Sequence, residues 1–242
     1  MKKFLAFTLA ETLIVMGIIG IVSALTLPNL NSSTGEKEKV AKVKKLYQNF
    51  EDAIGRAQAV YGPVSEWFIN DTTATAQITR FGDRVTEFMK VSKNCGTTTN
   101  QKCFSNTKEL PIDGDDGSES GFDSKNTSYK FQLADGTSVS FQNSSWISDG
   151  FDLMFNIDGP KGKNQYGNDI FALFFDKSSN EIKLSNSTYF GNLYNSNNGH
   201  IAAAWVINYD NMDYLKASNN GKCKNSNVTL SLTANPPVTS CK

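Results

Sequence analysis

Four cysteines are the residues whose chemistry the sequence suggests first. An even number fits either disulfides or a zinc site. The chain has no C-x-x-C pair and its single histidine is His200, which disfavours zinc and favours disulfides. Three pairings are possible. The sequential one, Cys95–Cys103 and Cys223–Cys241, closes two short surface loops and is the one we predict.

Two segments rich in Asp, Asn and Gly invite comparison with calcium loops. Residues 113–123, DGDDGSESGFD, lack EF-hand spacing because Gly117 occupies the place of the third ligand. We expect a solvated, mobile loop there. Residues 158–169 and the strand before them offer oxygen ligands at Asn156, Asp158, Asn164 and Asp169. A glycine-rich connection held by its own Asn and Asp side chains explains the same residues, and we favour that interpretation.

Catalytic chemistry has little support in the sequence. No acid, base or nucleophile spacing surrounds His200, so we expect a surface or capping histidine. The GSESG stretch is not a hydrolase elbow, because Glu119 stands where the nucleophilic serine belongs. The sequence therefore predicts a protein that is not an enzyme and has no catalytic residues.

Glu11 is the most unusual charged residue of the chain. It stands beside the apolar run of residues 12–27, which Pro28 ends, and a short leader with Lys2 and Lys3 precedes it. A carboxylate inside an apolar membrane segment costs roughly 2.5 kcal/mol or more. We therefore expect Glu11 to have a partner or a specific role.

The N-terminal 30 residues resemble the processing and assembly signal of type IV pilins and type II secretion pseudopilins. The resemblance places a prepilin peptidase cut between Ala6 and Phe7, with methylation of the new amino group of Phe7. Glu11 is then the fifth residue after the cut, and Pro28 stands where many pilins carry a proline. Ala6 departs from the glycine that usually precedes the cut.

This resemblance implies a structural subunit of a type IV pilus or type II secretion pseudopilus. The fold it implies is α+β, with a long N-terminal helix packed on an antiparallel β-sheet. Its implied partners are prepilin peptidase, other pilin or pseudopilin subunits in a homo- or hetero-filament, and the inner-membrane assembly platform. The subunit would start as a single-pass inner-membrane protein with its head outside the cytoplasm and end in a periplasmic or cell-surface filament. Some secretion pseudopilins bind calcium in a loop near the sheet, which is why calcium is considered for residues 158–169; no other cofactor is implied.

Two other interpretations of the N-terminus remain open. A secretory signal would be cleaved after Val22-Ser23-Ala24, and a plain anchor would stay uncut. The corresponding alternative function is a monomeric exported adhesin or binding module held by a signal anchor. Neither interpretation explains Glu11.

The charge composition limits the possible partners, and the hydrophobic pattern divides the chain into segments. The chain has 242 residues with 24 basic and 24 acidic side chains, so no global field attracts nucleic acid and no nucleic-acid partner is expected. We predict a leader at residues 1–6, a transmembrane and filament-core helix at 7–30, an amphipathic second half at 31–63, and a globular head with an antiparallel sheet at 64–242.

Hydrophobic spacing predicts the elements of this head and of the helix that leads into it. The helix has an apolar seam with spacings of three and four, and Gly62-Pro63 ends it. The seam consists of Val40, Val43, Tyr47, Phe50, Ile54, Ala57 and Tyr61.

Residues 64–125 are predicted to be an irregular, partly helical connector, with a helix at 78–89 that Gly82 weakens. Alternation then predicts about five antiparallel strands, including a hairpin around Asp135-Gly136, with one face available to the long helix. A short helix is expected at 200–207.

Overall fold

The structure is a computed structural model that describes residues 9–105, 109–112, 121–145, 147, 149–161, 164–187, 193 and 199–242; the side chains of 23–34 lie outside the description. The chain divides into two compact units, Met1–Lys39 and Val40–Lys242. Helix α1 (Leu9–Tyr61) begins in the first unit and ends in the second. The other two described helices, α2 (Ala74–Thr86) and α3 (Gly199–Tyr209), belong to the second unit.

The C-terminal part of α1 buries the predicted seam. Val43, Phe50 and Ala57 are completely buried, and the same face adds Leu46 and Ala53, which the seam did not include. Tyr47 and Tyr61 are half-buried at its margin. Gly62 ends the helix in the left-handed region, at φ 79°, and its N–H donates to the Gln58 carbonyl at 2.9 Å. This is the glycine stop that the sequence predicts.

Six antiparallel strands form the main sheet, in the spatial order β1-β3-β4-β5-β7-β8. They are β1 (Val91–Gly96), β3 (Ser128–Leu133), β4 (Ser138–Asn143), β5 (Gly150–Asn156), β7 (Ile170–Asp176) and β8 (Glu181–Lys183). Two short strands, β2 (Glu109–Leu110) and β6 (Asn164–Gln165), pair with each other in parallel. The fold is therefore α+β with an antiparallel sheet, as expected.

One face of the sheet is aromatic and packs against α1 and α2. The ring of Phe81 on α2 lies 4.6 Å from that of Phe151 and 5.2 Å from that of Phe141, while Phe50 on α1 lies 5.9 Å from Phe141. Aromatic pairs at these separations contribute about 0.5–1.5 kcal/mol each beyond the area they bury. This cluster joins both helices to the centre of the sheet.

The opposite face is polar yet buried. Ser128, Lys130, Ser138, Ser140, Asp152 and Asn156 alternate with the aromatic residues along β3, β4 and β5, and all are almost inaccessible to solvent. Helix α3 packs on β7. A second face buried in this way was not predicted, since the sequence analysis placed a helix against one face of the sheet.

Gly82 is a contact point on α2, where the sequence analysis expected a weak one. A Cβ at this position would lie 2.4 Å from the ring of Tyr129 on β3. The missing side chain lets the helix backbone lie directly on that ring, whose hydroxyl donates to Asp83 at 2.7 Å. Glycine lowers the stability of the helix at this position, but it allows the close contact with Tyr129.

The structure differs most from the prediction in the segment before the hairpin. The predicted connector at 64–125 contains α2, which begins four residues earlier than expected, and the strands β1 and β2. The main sheet accordingly has six strands where about five were predicted. β1 was missed because Ser92, Lys93 and Asn94 are all exposed and two register shifts interrupt its pairing with β3.

Candidate assembly surface

The N-terminal part of α1 presents an exposed apolar surface at residues 9–22. Leu9 is 79% exposed and Met16 70% exposed, values that are unusual for large apolar side chains. Apolar residues surround the whole helix here, so no polar face alternates with them. The exposed members are Leu9, Leu13, Ile14, Val15, Met16, Ile18, Ile19, Ile21 and Val22. A contiguous surface of this kind marks an interaction site with protein or lipid.

Glu11 lies within this surface and is itself exposed. It falls in the first turn of α1, where the helix dipole favours a negative charge. The next residue, Thr12, donates its hydroxyl to the Leu9 carbonyl at 3.2 Å, so its polar group is satisfied within the helix. Glu11 is the one acidic side chain among residues 9–22. The arrangement can bind an apolar partner surface that carries one positive charge.

The predicted processing residues, Ala6 and Phe7, lie outside the described residues. The predicted membrane segment is described in full only as far as residue 22, and its side chains from 23 onward are also outside the description. Within the part of the chain whose side chains are described, no helix combines the length and the apolar character needed to cross a membrane.

Both predicted disulfides are present, and each closes a loop that a buried aspartate holds. Cys95 and Cys103 are bonded, as are Cys223 and Cys241. In the first loop, Asp123 accepts backbone N–H bonds from Lys102 at 2.7 Å, from Cys103 at 3.1 Å and from Phe104 at 3.2 Å. Its side chain is fully buried. The carboxylate therefore fixes the loop backbone beside the disulfide.

Lys130 completes the surroundings of Asp123. The ammonium group is buried and donates to the backbone carbonyls of Lys125 and Asp123. Burial lowers the pKa of Lys130, while the negative charge of Asp123 opposes that shift. The aspartate thus supplies both acceptors for the loop and countercharge for a buried cation.

Asp213 plays the corresponding role in the second loop. Its carboxylate accepts from the Cys241 N–H at 2.7 Å, from the Ser240 hydroxyl at 2.8 Å and from the Lys216 ammonium at 2.6 Å. Burial opposes ionisation of Asp213, but these hydrogen bonds outweigh it and hold the pKa of the carboxyl below its usual value. The C-terminal residues are therefore tied back to the head by a charge as well as by a disulfide.

The loop considered for calcium uses two of its candidate ligands internally. Asn156 donates its side-chain amide to the Asn164 side-chain oxygen at 2.8 Å, and its own oxygen accepts the Asp158 N–H at 2.9 Å. Asp158 is exposed, whereas Asp169 is buried. The Asn156 side chain therefore links two parts of this segment. Calcium binding here is not part of the function proposed below.

His200 is buried, so the expectation of a surface position was wrong. It is 7% exposed, and its ring stacks on Phe174 of β7 with 3.8 Å between centroids. Its Nε2 lies 3.4 Å from Asp152 Oδ1 without hydrogen-bond alignment, and neither atom has a hydrogen-bond partner among the described residues. The sequence suggested neither partner, because both come from distant strands.

A further buried acidic group, Glu109, lies on β2. The Tyr166 hydroxyl donates to Glu109 Oε2 at 2.8 Å, and both side chains are almost inaccessible. Burial raises the pKa of Glu109 to about 7, although the Tyr166 hydrogen bond and the charge of Lys125 act in the opposite direction. Burial and the adjacent Glu109 raise the pKa of Tyr166. Sequence analysis did not single out this pair.

A surface groove of about 500 Å³ runs beside the C-terminal half of α1. Phe88 and Leu133 are among its apolar lining residues. Two of its cations face acids within the groove, since Lys45 lies 3.5 Å from Asp135 and Arg56 lies 3.5 Å from Asp52. Among the residues that the structure describes, no group of three or more His, Cys, Asp and Glu side chains is placed to hold a metal ion.

Comparisons of the chain with family models, with curated proteins and with solved structures yield no match.

Proposed function

We propose that this chain is a structural subunit of a bacterial type IV pilus or type II secretion pseudopilus, assembled through its N-terminal helix. The observation that carries the proposal is the exposed apolar surface of residues 9–22 with Glu11 inside it. An adhesin or binding module needs an anchor but has no use for a carboxylate within that anchor. A filament subunit has a use for it, because the same helix must meet another helix in one register.

The mechanism has two stages. The subunit first waits in the inner membrane, held by the apolar segment of residues 7–30. An assembly motor then extracts it, and the apolar side chains become buried among the helices of neighbouring subunits. Apolar contact gives adhesion but little preference for axial position, since any register buries similar area. Glu11 supplies that preference by pairing with the amino group of Phe7 on a neighbour, as the family resemblance implies.

Features of the head support the proposal that the protein is exported. Two disulfides, each with a buried aspartate beside it, are typical of a domain that folds in an oxidising compartment. The packing of α1 on an antiparallel sheet agrees with the layout that the resemblance implies. Neither feature distinguishes a pilus from a pseudopilus, and the proposal covers both.

Intact-mass analysis of the protein from its native host tests the proposal. We expect a mature chain that begins at N-methylated Phe7, together with prepilin peptidase dependence of that product. A chain beginning at Leu25 would support a secretory signal, and one that retains Met1 would support an uncut anchor. Either result would contradict the proposed processing.

Ala6→Gly provides a matched control for this measurement. Residue 6 is removed with the leader if the cut lies after it, so the variant and the natural chain must have the same mature mass. A lower mass in the variant would show that residue 6 is retained.

A further inference from the structure

Within the described part of the chain, few hydrogen bonds hold the short strand β2 to the head. Its two residues pair with β6, and the Tyr166 N–H donates to the Leu110 carbonyl at 2.9 Å. Gln165 adds a side-chain bond to the Ile112 carbonyl at 2.8 Å. The side-chain contact from Tyr166 to Glu109 is therefore a large part of what fixes the strand.

The surroundings of the Glu109 carboxyl disfavour its ionised form. Glu109 is 2% exposed, and its buried Oε1 has no hydrogen-bond partner among the residues that the structure describes. An ionised carboxylate accepts at both oxygens, so this site leaves half of its hydrogen-bonding capacity unused. A protonated carboxyl carries no charge and is much less costly to bury.

The surrounding charged groups do not offset the cost of burying an ionised Glu109. Tyr166 donates a single hydrogen bond, and Lys125, which is partly exposed, acts on Glu109 by its charge. Asp152 on β5 places a further negative charge within range of the Tyr166 hydroxyl. His200 on α3 lies against Asp152, 3.4 Å away, and is not a hydrogen-bond partner of Glu109.

We propose that the Glu109 carboxyl is a pH-sensitive contact between β2 and β6, closed when the carboxyl is protonated and opening locally when it ionises. The opening exposes Glu109 to water and breaks the bonds that Tyr166 makes to Glu109 and to Leu110. The rest of the sheet keeps its pairing.

The direction of the effect follows from linkage. Burial raises the pKa of Glu109 from 4.5 in water to about 7 in the closed state, so the closed state binds the proton more tightly. The stabilisation is complete below the lower value and is lost as the pH rises through the higher one. Opening should become roughly tenfold more favourable from about pH 6 to about pH 8.

Hydrogen exchange of the full-length chain in mild detergent tests this proposal. We expect the protection of the Tyr166 amide, corrected for the intrinsic pH dependence of exchange, to fall roughly tenfold over that interval. Amides in the centre of β5 should show no comparable fall. Protection at Tyr166 that is independent of pH, or an equal fall throughout β5, would overturn the proposal.

Three variants separate the titration from a purely structural effect. Glu109→Gln keeps the acceptor for Tyr166 and removes the titration, so its protection should be independent of pH. Tyr166→Phe removes a bond that favours the ionised form, so its transition should move to higher pH. Glu181→Gln, at an exposed position on β8, should behave as the natural chain does. A Glu109→Gln profile with the natural slope would refute the assignment.

Discussion

Glu11→Leu should leave the protein in the inner membrane and nearly abolish its incorporation into filaments. Leucine is less costly than glutamate in lipid by roughly 2–3 kcal/mol, so the variant should enter the membrane at least as well as the natural chain. The apolar surface of residues 9–22 is unchanged. What the variant loses is the negative charge that we propose pairs with the terminal amine of a neighbour, and with it the proposed preference for one axial register.

The measurement compares the inner-membrane pool with the sheared filament fraction, in cells where the variant is the sole copy. Thr12→Leu is the matched control, because it adds a leucine at the neighbouring position and retains Glu11; it should be incorporated normally. Glu11→Gln should fail as Glu11→Leu does, because the proposed pairing requires the negative charge. Normal incorporation of Glu11→Leu would contradict the proposed role of Glu11.

Asp123→Ala should destabilise the head by about 3–5 kcal/mol. The variant leaves the buried N–H groups of Cys103 and Phe104 without acceptors and removes the countercharge of buried Lys130. For a domain of this size, such a loss lowers the melting temperature by roughly 6–20 °C. Thermal melts with the disulfides confirmed by mass would measure it.

Asp158→Ala is the control for that experiment. Asp158 is an exposed aspartate, and its replacement should change the free energy of unfolding by no more than about 0.5 kcal/mol in the presence of chelator. If the two variants melt at the same temperature, the carboxylate of Asp123 does not hold the first disulfide loop.

The strongly periodic elements were predictable from the sequence. The seam of α1 and the hairpin of β3 and β4 follow apolar spacing, and the structure confirms both. Strands without that spacing were missed. β1 is an exposed, irregular edge strand, while β2 and β6 have two residues each and pair across a long stretch of chain.

The residues that hold the head together were less predictable than its disulfides. Cysteine count and spacing suggest both bridges. The hydrogen bonds of Asp123 and Asp213 depend on folding, because the first joins positions about 20 residues apart and the second joins 213 to 241. The burial of His200 was not predicted for the same reason, since its neighbours Phe174 and Asp152 come from strands β7 and β5.

Photocrosslinking from Ile18 tests directly whether the N-terminal helix forms the filament core. Ile18 is 57% exposed within the apolar surface, and a photoreactive amino acid there would report what covers it. We predict light-dependent adducts between neighbouring subunits in the sheared filament fraction, and their loss when Glu11→Leu is combined with the probe. A filament fraction that lacks Ile18 adducts, or adducts that persist unchanged in the Glu11→Leu background, would contradict the proposed assembly.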